Sequence, residues 1–197
     1  MFAHMKLYLA LAAVAAGIFM LATGGAIERA PGVLAANQPL QRLVQRPAFQ
    51  FGQYQLTPLA EFDVEARVLS VEQYRTDLSS RLSPIDFALG WGPMSDSAVL
   101  EHFRVRQGAR FFTIYPDEQA IDINVALLNA ANMHLIPASG QLEDELKRVR
   151  PGNVVHLRGK LVSALGPNNF TWSSSLTRAD TGNGACEVFY VEAMERR

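Results

Sequence analysis

The stretch GQLEDELKRVRPGNVVHLRGKLV, residues 140–162, decides the fold. Its first ten residues predict a short helix over 140–149. Glu143, Asp144 and Glu145 open it and Lys147 and Arg148 close it, the arrangement a helix dipole favours. Leu142, Leu146 and Val149 form one apolar stripe, and Pro151-Gly152 ends the helix. The period then changes. Val155, Leu157, Gly159 and Leu161 alternate with His156, Arg158 and Lys160, the repeat of two that marks a half-buried strand.

Upstream, Phe62, Val64, Ala66 and Val68 alternate with Asp63, Glu65 and Arg67, which predicts another strand. Residues 75–96 break the pattern with Pro84, Gly90, Gly92 and Pro93. Ser95 or Asp96 is suited to cap a short helix running through His102, with Val99 and Phe103 on one face. Residues 110–115 read as a strand stopped by Pro116, and 118–131 carry a fainter helical pattern. Downstream, the turn 166–169 leads to a strand with Phe170, Trp172 and Leu176 on one face. The loop 180–184 leads to a last strand over 186–191. Short connections of this kind predict an antiparallel meander.

The expected fold is therefore mainly β with two or three helices (α+β). A small OB-like barrel has its helix between the third and fourth strands, which suits 140–149, and a meander sheet is the other arrangement that fits. One β-rich domain over 49–197 is long enough to bury a core without metal or disulfide staples. The chain has 197 residues and one cysteine, Cys186, so no intrachain disulfide forms.

Residues 7–27 carry no charge. As a helix they would rise about 30 Å, the thickness of a hydrocarbon core. They read as a transmembrane anchor or a signal peptide. The small residues Gly24-Gly25-Ala26 suit a processing site, but the run is longer than a usual signal core, which favours the anchor. No cysteine stands directly after it, so a lipoprotein is excluded. Lys6 ahead of the run favours an exported domain, whereas Arg29, Arg42 and Arg46 behind it argue the other way. The expectation is a single span in a bacterial inner membrane with a periplasmic domain. Residues 28–48 contain three prolines and no sustained period, and read as a tether.

The segments LSPIDFALGWGPMSD (82–96), NMHLIPAS (132–139) and SSLTRADTGNGACEV (174–188) resemble those of an uncharacterised bacterial family. Its members carry an N-terminal hydrophobic segment and one small domain. The likeness runs from about Pro31 to Val191. It implies a bacterial origin and an anchor, and brings no activity, cofactor or site residue with it.

Candidate sites each have a bland counterpart. Trp91, between Gly90 and Gly92 and near Asp96, is either a stacking platform on a tight loop or a lid over the core with Asp96 as a helix cap. The loop from Asp180 to Gly184 offers oxygens to Ca²⁺ but lacks the spacing of an EF-hand, and a hairpin turn explains it equally. Cys186 is either a nucleophile served by His102, His134 or His156, or a small buried hydrophobe. His134, between apolar residues, reads as a structural histidine, and no histidine spacing suggests zinc. Ser173, Ser174 and Ser175 lack a nucleophile elbow. Asn169-Phe170-Thr171 matches a glycosylation sequon, which carries no weight in a bacterial chain. His156, Arg158 and Lys160 share a strand face that either meets an anionic ligand or is simply solvated.

With a net charge of −1, the chain lacks the basic excess of a nucleic-acid binder. Neither cofactor nor metal is implied. The expected function is a non-enzymatic, membrane-anchored accessory or binding domain, with a protein or other envelope component as partner. A hydrolase pairing Asp86, Asp96 or Cys186 with a histidine is one alternative. An OB-type module for oligosaccharide or single-stranded nucleic acid is another, and it requires Phe170 and Trp172 to share a groove with Arg158 and Lys160.

Overall fold

A computed structural model describes residues 25–177 and 185–197. Strand outweighs helix, as the alternating pattern predicts, and most strand pairs are antiparallel. The organising element is β3, Tyr54–Gln73. Its even-numbered residues from Tyr54 to Val68 include Leu56, Ala60, Phe62, Val64 and Ala66, and nearly all are buried. One edge of β3 pairs with β8 (Val154–Leu165), and its second half pairs with β4 (Ile85–Gly90). Register shifts between Pro58 and Ala60 and between Val68 and Ser70 bend the strand enough to reach both partners. Pro58 sits at the first of these irregularities, a position where a missing N–H is tolerated.

From β4 the pairing passes to β7 (Ala130–Pro137), then in parallel to β10 (Glu187–Arg196), then antiparallel to β8 and back to β3. Five strands thus close on themselves. Leading into β8 is helix α3, Gly140–Lys147, which Ser139 caps by accepting a hydrogen bond from Leu142 N–H. Its stripe of Leu142 and Leu146, with Val149 just beyond, joins Phe62, Phe87, Leu135, Leu157 and Phe189 in the core inside the ring. At Gly159 a Cβ would stand 2.0 Å from the Tyr190 carbonyl oxygen, so the close approach of β8 to the irregular part of β10 demands glycine.

Several segments depart from the sequence expectation. Residues 75–96 contain β4, every residue of which is buried. The second half of 118–131 splits between helix α2 (Ile123–Leu128) and the start of β7. Both β4 and β7 are covered on two faces, so they read as apolar runs without alternation. The last strands do not form a meander. β10 inserts between β7 and β8, while β9 (Thr171–Ser173) pairs only with the end of β8. Leu176 falls outside β9 and is exposed. Arg110 does not begin a strand but turns the hairpin between β5 (Phe103–Gly108) and β6 (Phe111–Pro116).

The tether expectation is also corrected. Ala35 is buried in the core, β1 (Leu40–Leu43) pairs with β3, and β2 (Phe49–Phe51) follows on the same strand. Leu34 and Ala35 donate backbone hydrogen bonds to Ser95, and Gln38 accepts one from Trp91. Prolines in this segment do not free it from the domain; backbone and side-chain hydrogen bonds hold the irregular chain down. Of the predicted span 7–27, only its last three residues are described, and among the described residues no helix is long and apolar enough to cross a membrane.

Candidate functional site

Alternation along β4 and β7 sends Ile85, Phe87, Met133 and Leu135 into the ring and turns Asp86, Asn132 and His134 outward. These outward polar groups are nonetheless buried, Asp86 at 0% exposure and His134 at 3%. The tip of the β5–β6 hairpin and Trp172 of β9 cover them.

Arg110 is the centre of the cluster. Its Nε and Nη2 donate to the two carboxylate oxygens of Asp77 at 2.6 and 2.8 Å, and Nη1 donates to Asp86 Oδ1 at 2.8 Å. The guanidinium lies 3.7 Å from the Tyr74 ring centre and 5.7 Å from that of Trp172. Its backbone N–H donates to Tyr74 Oη, and its carbonyl accepts from Asn132 Nδ2. A planar cation bonded to two carboxylates and faced by aromatic rings is an arrangement that arginine makes and lysine does not.

His134 stacks against Trp172 with ring centres 4.5 Å apart. Its Nδ1 lies 2.9 Å from Asp86 Oδ2, close enough for an ion pair but off the line of a hydrogen bond. The electrostatics follow from the contacts. Hydrogen bonds from Arg110 hold the Asp77 carboxyl below the usual carboxylate range. Burial opposes the Arg110 charge, but the bonds to Asp77 and the fields of Asp86 and Asp77 outweigh it and raise its pKa. Burial pushes the Tyr74 phenol up.

Asp77 also lines a cleft of about 450 Å³ beside this cluster. Its walls come from the loop after β3 (Thr76, Asp77, Leu78, Arg81), the β2–β3 turn (Gln53, Tyr54) and the loop after β8 (Pro167, Asn168, Phe170). Tyr54 and Phe170 meet edge to face at 5.6 Å, and Leu78 stands almost fully exposed at the mouth. Aromatic faces, amides, one acid and one base together suit polar-apolar ligands such as a peptide or a sugar.

The residues singled out in the sequence are dispersed. Trp91 is fully buried with its indole N–H on Gln38, a core residue and not a platform. Asp96 caps helix α1 (Ser97–Leu100) and also accepts from Gly32 N–H, which holds its carboxyl low. Arg158 pairs with Glu195 and Lys160 with Glu192 in a different groove, lined also by Leu40, Arg42 and Asp63. His156 pairs with Asp63 and His102 with Asp117, both away from the cluster. Trp172 and His134 do come together. Phe170 and Trp172 are half-buried and do not line the groove of Arg158 and Lys160. Asp180 lies outside the described residues.

Cys186 contacts Asn132 Nδ2 and the Arg110 carbonyl, at 3.8 and 3.9 Å. Among the described residues no group of three or more metal-ligating side chains gathers. Sequence reasoning missed Asp77 and Arg110 entirely. Their signal was weak: an Asp in a loop, and an Arg at a hairpin tip that carries no glycine. No protein-family model matches the chain, and neither a curated protein nor a solved structure matches it.

Proposed function

We propose that the chain is a membrane-anchored, non-enzymatic binding domain built on an OB-like barrel. The five-strand closure, the parallel β7–β10 pair and the helix between the third and fourth strands of the ring support the OB-like reading. In such barrels the face of the second and third strands, with the loops after the first and fourth, takes the ligand. Those positions correspond here to β4, β7 and the loops that form the cleft.

The observation that carries the proposal is the cleft between Tyr54, Phe170, Asp77 and Arg81, backed by a polar cluster already fixed in position. The binding partner is an envelope protein or other envelope component. Arg110 and Asp86 hold Asp77 in place so that the wall of the cleft is preorganised, which lowers the ordering cost of binding.

A hydrolase reading has one observation in its favour, the approach of His134 to Asp86. A catalytic dyad also needs a nucleophile on the histidine, and Cys186 contacts Asn132 Nδ2 and the Arg110 carbonyl. The binding reading is therefore preferred.

Site-specific photo-crosslinking in intact cells tests it. A photoreactive residue replacing Arg81 or Asn168 is expected to give a discrete adduct, and one replacing Arg106, on the exposed hairpin, none. The adduct is expected to weaken with Phe170→Ala. Adducts from Arg106 alone, or from no position, would overturn the proposal.

A further inference from the structure

Ile27 is the last residue of the uncharged run 7–27, and it is also fixed to the domain. Its N–H donates to the Pro151 carbonyl at 2.7 Å, and Gly152, with φ +90°, packs so closely on it that a Cβ there would stand 2.0 Å from the Ile27 oxygen. Two residues on, Arg29 donates to the carbonyls of Gly152 and Arg197. No slack separates the end of the uncharged run from the barrel. The end of the run is thereby held against residues 151–152, beside Arg197.

That end of the domain is rich in arginine. Arg196 donates to the Arg148 carbonyl, and Arg150 N–H donates to Asn153, whose neighbour Val154 pairs with Arg197. Arg148, Arg150 and Arg196 are exposed and have no carboxylate partner among the described residues. Arg197 is paired with Glu65, and Glu28 lies nearby in sequence, so the three arginines provide the surplus.

We propose that this face rests directly on the bilayer and that Arg148, Arg150 and Arg196 take anionic phospholipid headgroups. The inference depends on reading 7–27 as an anchor and adds which face meets the membrane and through which lipid chemistry. Basic side chains held within a Debye length of an anionic surface gain attraction that salt and neutral lipid remove. The Tyr54 wall of the candidate cleft lies at the far end of β3 from this face, since Gln55 pairs with Leu165 while Val68 bonds to Gly152 and Asn153. Thirteen residues of strand separate Tyr54 from Arg67, up to about 40 Å at the usual rise per residue. The Tyr54 wall of the cleft would then face away from the membrane.

The full chain, with Cys186→Ser and a fluorophore on either Arg197→Cys or Gln53→Cys, is reconstituted into vesicles of phosphatidylcholine with or without phosphatidylglycerol. Headgroup-level nitroxide lipids serve as quenchers, and flotation reports attachment. The label at 197 is expected to be quenched, more strongly with phosphatidylglycerol, and the label at 53 spared. Arg148→Glu, Arg150→Glu and Arg196→Glu together should abolish the gain from phosphatidylglycerol while the chain still floats. Equal quenching at 197 and 53 in a chain that floats overturns the assigned face. Quenching at 197 that ignores both lipid charge and the three substitutions overturns the headgroup contact. A chain that no longer floats defeats the anchor reading itself, and the inference with it.

Discussion

Arg110 reaches Asp86, with Nη1 2.8 Å from Oδ1, from a turn in which Ala109 and Arg110 both hold positive φ, 49° and 69°. Two consecutive non-glycine residues in the left-handed region suit the twist of a two-residue hairpin, but each is disfavoured by its own Cβ. The ion pairs to Asp77 and Asp86 compensate for that cost.

Ala109→Gly relieves one of these residues without touching the guanidinium. Relief of about 1 kcal/mol is partly offset by the added freedom of the unfolded chain. The variant is expected to unfold at the same or a slightly higher temperature, by circular dichroism of the detergent-solubilised chain. A clear drop would show that the turn is not strained.

Arg110→Ala takes its hydrogen-bonded partner from Asp86, which is fully buried. Breaking a buried pair by removing one partner costs about 3–5 kcal/mol. Asp77→Ala removes a carboxylate whose side chain is 36% exposed, and an exposed pair contributes below about 1 kcal/mol. Urea unfolding should therefore separate the two variants clearly, with Arg110→Ala the less stable. Equal losses would mean that the buried half of the network carries no special weight.

The acid limb of stability follows from Asp77, whose hydrogen bonds to Arg110 depress its pKa in the folded state. A depressed carboxylate contributes stability above its unfolded pKa, near 3.9, and that contribution disappears as pH falls through the lower folded value. Arg110→Gln removes the main cause of the shift. Its stability is then expected to lose part of its dependence on pH below about 4. An unchanged acid limb would place the titration elsewhere, at Asp96, Asp117 or Glu61, whose carboxyls are also held low.

Residues 28–48 belong to the domain, so weakening their contacts should destabilise it. Gln38→Ala removes a hydrogen-bond acceptor of the Trp91 indole N–H, with an expected loss of about 1 kcal/mol. The same substitution in a free tether would have no effect on the unfolding midpoint.

How far these features were legible in the sequence depended on whether one face met water. The alternation in β3 and β8 and the stripe Leu142, Leu146, Val149 stood out because polar residues marked the other face. β4 and β7 are covered on both sides, which erased the alternation and hid the strands that carry Asp86 and His134. The insertion of β10 beside β7 is a long-range pairing that no local signal encodes. At Trp91 the flanking glycines left an exposed platform and a buried lid both open, and the structure takes the second, with Asp96 as the helix cap. Gly90 is needed for contact, as a Cβ there would stand 2.3 Å from the Met94 oxygen. Of the site, Trp172 and His134 were visible as residue types. Their meeting at Arg110 depends on a hairpin tip brought in from another part of the chain.

Hydrogen exchange on the vesicle-bound full chain, alone and with the partner captured from positions 81 or 168, shows where that partner sits. New protection is expected over residues 76–81 and 166–170, with β1 and the groove of Arg158 and Lys160 unchanged. Protection confined to that groove or to β1, with both cleft loops exchanging as before, would contradict binding in the cleft.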